Sequence, residues 1–156
     1  MLEILVDGHE CLRKVSVPVK KIDQEILDLA SEMFLAMYEV NGVGLAAPQV
    51  GQNIRLVVID VGEDPITLIN PRIVKKDGEM DGDEGCLSFP KMTGKVKRYS
   101  TVEVEAYDRD GKRFRIEASD DLLARALQHE IDHLDGILFV DTARELKTIE
   151  EDEECE

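Results

Sequence analysis

Two histidines four residues apart, with a glutamate after the first, carry the sharpest chemical signal in the sequence. They are His129 and His133, with Glu130 between them, in an HExxH pattern. In an α-helix, side chains four residues apart lie on one face, about 6 Å from each other, so both imidazoles could bind one metal ion. The glutamate would then lie beside a water molecule, as in metal-dependent hydrolases. The alternative, a chance pairing on an exposed helix face, is disfavoured because apolar residues flank the motif and only His9 lies outside it.

A catalytic centre of this kind needs a third protein ligand and an open position for water. Cys86 is the best candidate, because it lies in the glycine-containing segment EGCLS, residues 84–88, where backbone can approach closely. Spacing alone supports equally a small buried cysteine that packs as a hydrophobic residue. Cys11 has no glycine-rich setting and Cys155 lies in a charged tail, so neither is predicted to be a ligand.

The segment GVGLAAPQVG, residues 42–51, has glycine at both ends and small residues within, which favours a loop or short strand. Glycine lets backbone come close to a ligand or metal. Gln49 could aim its amide N–H at developing negative charge, the role of an oxyanion hole. Composition alone favours the simpler interpretation, a tight turn between helix and strand with a solvated glutamine.

Hydrophobic periodicity predicts a helix over residues 22–40, where apolar side chains recur at intervals of three and four and end at Val40. Asp23 is the predicted N-cap, and Asn41-Gly42 is the predicted stop. These limits place the helix directly before the glycine-rich segment.

A second helix is predicted over residues 120–134, and it carries the HExxH motif. Ser119 is its predicted cap, and the acidic residues of the first turn suit the helix dipole. Gly136 is the predicted end of the helix, and ILFV, residues 137–140, is predicted to be a short closing strand.

Strand patterns dominate between the two helices. Residues 101–118 alternate on both sides of Asp110-Gly111, which is a hairpin signal. Residues 54–60 are an apolar, β-branched run that predicts a strand. The pattern of residues 66–76 predicts two more strands, or one strand that Pro71 interrupts. The resulting fold class is α+β, with mostly antiparallel sheets packed around a central helix that carries HExxH.

Composition limits the classes of function. The chain has 156 residues, a formal net charge of -15 and a pI near 4.6. One compact domain is expected over residues 1–144, followed by an acidic tail, 145–156, that begins as a helical turn and frays. The charge argues against contacts with nucleic-acid phosphates or anionic membrane surfaces. Three scattered cysteines, no signal peptide and no membrane span predict a cytoplasmic protein.

Together the three segments resemble the peptide deformylase family. GVGLAAPQ (42–49), EGCLS (84–88) and QHEIDH (128–133) match its three motifs in order and at similar spacing, and DGILFVD (135–141) extends the match. The resemblance covers about residues 1 to 142. It implies an enzyme that hydrolyses the N-formyl group of the N-terminal formyl-methionine of new polypeptides and releases formate.

The resemblance also implies the roles of particular residues. Cys86, His129 and His133 would bind one divalent metal, Fe(II) natively, with zinc, nickel or cobalt in some preparations. Glu130 would be the general acid and base. Glu84 would pair with a basic residue, Arg98, and brace the Cys86 loop.

For the substrate, the resemblance implies that Gln49 and the backbone N–H of Leu87 hold the oxyanion. The residues implied to contact the peptide or the methionine side chain are Val43, Gly44, Gly85, Leu122, Ala126 and His129. The implied partners are N-formyl-methionyl nascent peptides. The acidic tail would be repelled by ribosomal RNA, so any approach to the ribosome is not expected to use it.

Two other functions remain open from the sequence. A zincin-like endopeptidase shares HExxH but needs a downstream carboxylate as its third ligand. Carboxylates are available at residues 150–154, but these lie in the tail that is expected to fray. A non-catalytic, metal-stabilised binding module would need no general base, so Glu130 argues against it.

Overall fold

The computed structural model describes residues 2–148 of the chain. Three α-helices and eight strands make up its regular structure, with short 3-10 turns at Glu10–Arg13 and Ala47–Val50. The helices are α1 (Gln24–Glu39), α2 (Leu122–Leu134) and α3 (Phe139–Thr142). The strands are β1 (Gly44–Ala46), β2 (Leu56–Ile59), β3 (Ile66–Asp77), β4 (Met80–Cys86), β5 (Phe89–Arg98), β6 (Thr101–Tyr107), β7 (Arg113–Ser119) and β8 (Arg144–Thr148).

The strands form two antiparallel sheets, which confirms the predicted α+β class. One sheet has five strands in the order β1-β2-β3-β6-β7, and the other has three in the order β4-β5-β8. β1 and β4 are therefore edge strands, one in each sheet. The predicted hairpin at 101–118 is β6 and β7, and the two strand runs around Pro71 form the single strand β3, with a register shift between Ile69 and Arg72.

The five-stranded sheet is buried on both faces by the two long helices. Along β2, Leu56 and Val58 pack into the core that includes α1, while Val57 and Ile59 pack into the core that includes α2. Alternate side chains of a strand point to opposite faces, so a continuous apolar run is what a strand covered on both sides requires.

Helix α1 begins as predicted. The Asp23 carboxylate caps it by accepting from the Ile26 N–H at 3.2 Å. The helix ends at Glu39, and Asn41 follows with φ of 58°. Val40 does not join the core as its spacing predicted: its side chain is 51% exposed, because the chain leaves the helix there and turns toward β1.

The predicted cap of α2 is wrong. Ser119 belongs to β7, where its hydroxyl lies 3.0 Å from Thr101 Oγ1. The chain then turns at Asp120, with φ of 53°, and Asp121 caps the helix by accepting from the Ala124 N–H at 2.8 Å. The helix ends at Leu134, close to the predicted Gly136.

The end of the described chain also differs from the prediction. Within residues 137–140, Phe139 and Val140 begin the short helix α3 and no strand forms there. Residues 145–148 belong to β8, which pairs with β5, and do not form a helical turn. The rest of the predicted tail, with Cys155, lies outside the described residues. Among the described helices, none is long and apolar enough to cross a membrane.

Candidate active site

Three side chains that the sequence singled out converge where the end of β4 meets α2. The ligand atoms of Cys86, His129 and His133 all lie within 4.8 Å of one another. The Cys86 Sγ is 3.3 Å from the His133 Nε2, and the two imidazole centroids are 5.0 Å apart. One thiolate and two imidazoles form a donor set suited to zinc or iron, so the residues fit a single metal ion.

The two imidazoles differ in charge. Burial lowers the pKa of His133 well below its usual value, with further lowering from His129 and Arg98, so this ring is neutral. Burial alone would lower the pKa of His129 too, but hydrogen bonds with Cys86 and Glu84 outweigh it and raise the pKa to about 10. A proton therefore competes with a metal for His129, and binding of the metal displaces it.

Glu84 supports His129 from behind. Its carboxylate accepts from His129 Nδ1 at 2.9 Å, which leaves Nε2 of that ring for a metal. Arg98 donates to both oxygens of Glu84 at 2.8 Å, as the resemblance implied, and also to Asp132 at 2.6 Å. Burial would raise the pKa of Glu84, but the bonds from Arg98 and His129 hold it well below its usual range. The carboxylate is therefore ionised.

Glu130 is buried beside the three candidate ligands. Its Oε1 has no hydrogen-bond partner among the described residues. Burial raises the pKa of Glu130 to about 7, against the opposing effect of His129. A carboxyl group with this pKa can both accept and return a proton near neutrality. Gly44 makes room for it, because a Cβ at that position would lie 2.7 Å from the Glu130 Oε2.

Gln49 is oriented from both ends of its amide. Its Oε1 accepts from the Ala46 N–H at 2.9 Å, and its Nε2 donates to Ser88 Oγ at 3.1 Å and lies 3.6 Å from Cys86 Sγ. The side chain is 1% exposed, so the solvated glutamine that composition favoured is wrong. The amide N–H group instead points toward the candidate metal site.

A cleft of about 670 Å³ opens beside these residues. Its walls include all the side chains and glycines predicted to act in catalysis or contact substrate, and His133 lies buried behind them. The predicted residues in the walls are Val43, Gly44, Gln49, Gly85, Cys86, Leu87, Leu122, Ala126, His129 and Glu130.

The sequence interpretation missed several other wall residues. Ile4 and Val6 line the cleft from the N-terminal segment, and Met92 lines it from β5. Arg125 also lines it, and its spacing could have revealed it, since a residue four positions before His129 lies on the same helix face. His9, the histidine outside the motif, is exposed, and its Nδ1 accepts from the Cys11 N–H.

Comparisons with known proteins identify the family of the chain. The family model described as polypeptide deformylase matches residues 1–149. The peptide deformylase of Desulfitobacterium hafniense is 56% identical over 142 residues, which are 91% of this chain and 94% of that protein. That of Acetivibrio thermocellus is 54% identical over 147 residues, which are 94% and 85% of the two chains.

Solved structures show the same fold. A peptide deformylase from Legionella pneumophila superposes with a TM-score of 0.89 at 45% identity, covering 93% of this chain and 87% of that one. One from Synechococcus elongatus in complex with actinonin has a TM-score of 0.89 at 43% identity, covering 92% and 79%. With the family model spanning nearly the whole sequence, the chain belongs to the polypeptide deformylase family.

Proposed function

We propose that the cleft between β1, β4 and α2 is where this enzyme removes the N-formyl group from the N-terminal formyl-methionine of newly made polypeptides. The observation that carries the assignment is the buried Glu130 Oε1, which has no hydrogen-bond partner within residues 2–148, beside three converging ligand atoms. A purely structural metal site needs no such base. A zincin-like endopeptidase is not favoured, because Cys86 takes the position of the downstream carboxylate that such an enzyme would need.

Cys86, His129 and His133 are proposed to hold one divalent ion, Fe(II) natively, with zinc, nickel or cobalt able to replace it. A metal ion held by these ligands supplies Lewis acidity, which lowers the pKa of water and polarises the formyl carbonyl. Neutral His133, and His129 oriented by Glu84, present the nitrogen lone pairs that such a metal requires.

Glu130 is proposed to move the protons. With a pKa near 7, it accepts a proton from the attacking water and then returns it to the leaving amine as formate departs. Its 5% exposure keeps bulk water from taking the proton between these steps. Burial of Glu130 therefore has two effects: it raises the pKa of the carboxyl group and it shields the transferred proton from bulk water.

Gln49 and the backbone N–H of Leu87 are proposed to stabilise the negative charge that develops on the formyl oxygen. The Gln49 amide nitrogen already lies near Cys86 and is held by Ser88. A donor fixed in this way needs no reorganisation as charge develops, and removal of one such donor typically costs about 3–4 kcal/mol.

The peptide is proposed to bind as an added strand between two sheet edges. Among the strands of residues 2–148, neither β1 nor β4 has a neighbour on the cleft side. Gly44 and Gly85 lie in these two strands, and Val43 directly precedes β1. Backbone pairing there would hold an extended peptide of any sequence. The methionine side chain would occupy the part of the cleft formed by Leu122, Ala126 and the His129 ring.

The proposed partners are N-formyl-methionyl nascent peptides, and the proposed location is the cytoplasm, where such chains are made. No direct binding of nucleic acid or membrane is proposed, because the net charge is -15. Any proximity to the ribosome is proposed not to involve the acidic tail.

The test is formate release from formyl-Met-Ala-Ser by protein purified without air, with elemental analysis of the bound metal. Glu130→Gln is expected to retain the metal and to lose nearly all turnover, because only the proton acceptor is removed. Glu117→Gln, on the exposed face of β7, is the matched control and should behave as wild type. Equal formate release by the Glu130 and Glu117 variants would refute the proposal.

A further inference from the structure

We propose that Arg125 is a positioning residue for the metal site, acting on His129 through Glu84. The inference rests on the proposed function, because it concerns the same metal ligands. The Arg125 Nη1 donates to Glu84 Oε2 at 2.5 Å and to the carbonyl of Val96 at 3.1 Å. Its side chain is only 14% exposed, so the contact with Glu84 is shielded from solvent.

The hydrogen bonds of Glu84 show what Arg125 adds. Glu84 Oε1 accepts from Arg98 Nη2 and from His129 Nδ1, while Oε2 accepts from Arg98 Nε and from Arg125 Nη1. Each oxygen thus has two donors. Without Arg125, the carboxylate would be fixed by one guanidinium, and that guanidinium is also drawn toward Asp132. Arg125 is therefore a second guanidinium that fixes the carboxylate, at its Oε2.

The fold makes room for this contact. Gly82 lies beside the Arg125 guanidinium, and a Cβ at Gly82 would be 3.0 Å from the Arg125 Nη2. A side chain at position 82 would require the guanidinium to shift by a few tenths of an ångström. Arg125 also lies on the same helix face as His129, one turn earlier, so both side chains reach the same carboxylate.

Arg125 has two functions that can be separated. Its aliphatic part lines the cleft beside Leu122 and Ala126, while its charged end is bonded to Glu84 and Val96. Arg125→Met keeps an unbranched apolar stem and removes the guanidinium. This variant therefore tests the support of the metal ligand with little change to the wall of the cleft.

The measurement is the zinc dissociation constant of full-length protein, determined at fixed pH by competition with a chromophoric chelator. Loss of a residue that orients a metal-bound histidine typically weakens metal affinity by about 10- to 100-fold. We expect the zinc affinity of Arg125→Met to be about tenfold weaker than that of wild type, near the lower end of this range, because Arg98 still holds Glu84.

Arg115→Met is the matched control. Arg115 also bonds to glutamates, Glu103 and Glu105, but on the five-stranded sheet away from the cleft. Its zinc affinity should equal that of wild type. A role of Arg125 in stability alone would lower the urea midpoint of the metal-free protein and leave zinc affinity unchanged, and that result would overturn the proposal.

If Arg125→Met does not fold, Arg125→Lys is measured instead. Lysine keeps the charge, but its ammonium lies one bond nearer the backbone than the Nη1 that bonds both Glu84 and Val96. These contacts should therefore lengthen, and zinc affinity should fall by at least about threefold. Unchanged affinity would contradict the proposal. Absence of formate release by the wild-type metal-loaded enzyme would instead refute the proposed function, and the zinc measurements would still decide the role of Arg125.

Discussion

At the scale of single residues, the site depends on how closely backbone and side chains approach one another, and not on charge alone. Glu130 can occupy its buried position because Gly44 has no side chain there. Gln49 can present its amide nitrogen because its carbonyl oxygen is already used by the Ala46 N–H. The sequence identified these residue types, but it could not show which atom of each faces the site.

Gly44→Ala should lower kcat and leave metal content unchanged. The added methyl group would lie 2.7 Å from the Glu130 Oε2 and would displace the carboxylate. A misplacement of about 1 Å can cost about 100-fold in rate, which is the loss we expect. Formate release and metal analysis check this result. Wild-type kcat in the alanine variant would show that Glu130 need not occupy its present position.

Gln49→Leu should affect both turnover and stability. Loss of the amide donor is expected to lower kcat by about 100-fold or more. Loss of the acceptor leaves the buried Ala46 N–H unpaired, at a cost of about 1–3 kcal/mol in the free energy of unfolding. Formate release and urea unfolding measure the two effects. A variant that loses stability and keeps full kcat would exclude the oxyanion role.

At the scale of elements, the sequence predicted those helices and strands that have regular apolar spacing or a clear turn signal. Helix α1, helix α2, strand β2 and the β6–β7 hairpin have regular apolar spacing or a turn signal, and all four form. The glycine-rich, acidic run at 77–85 contains most of β4, which the pattern did not indicate because β4 has little apolar alternation. Its formation depends on pairing with β5, which is a tertiary effect.

The residue that caps α2 was also not predicted correctly from the sequence. The position of the cap can be tested by two substitutions. Asp121→Ala should lower the free energy of unfolding by about 1 kcal/mol, because the Ala124 N–H loses its acceptor. Ser119→Ala, the matched control, should have little effect, since its hydroxyl is exposed and bonds to another exposed hydroxyl, that of Thr101. Urea unfolding compares the two variants. The opposite order would place the cap at Ser119 after all.

At the scale of the whole molecule, one ionic network joins β4, β5 and α2. Glu84, Arg98 and Arg125 come from these three elements, and their charges are buried together. The resemblance implied the first two residues. Helix spacing places Arg125 on the same face as His129, but it does not reveal that Glu84 of β4 lies against that face. The contact of Asp132 with Arg98 of β5 could not be predicted for the same reason.

The network should make stability depend on pH. The pKa of Glu84 is lower in the folded protein than in the unfolded chain, so its contribution to stability is full above the usual glutamate pKa and is lost as the pH falls. In metal-free protein at neutral pH, Glu84→Gln should cost about 3–5 kcal/mol, because two buried guanidinium groups lose a partner.

The difference between wild type and Glu84→Gln should shrink as the pH falls from about 5 to about 3. Urea unfolding at several pH values measures it, with Glu117→Gln as the control. A difference that stays constant over this range would show that the Glu84 carboxylate is not held in its charged form by the fold.

The most direct test of the central claim is X-ray absorption spectroscopy of the zinc-loaded protein. One sulfur at about 2.3 Å and two histidine nitrogens at about 2.0–2.1 Å are expected, from Cys86, His129 and His133. The sulfur signal should disappear in Cys86→Ser and persist in Cys11→Ser. A metal surrounded only by nitrogen and oxygen in the wild-type protein would contradict the account.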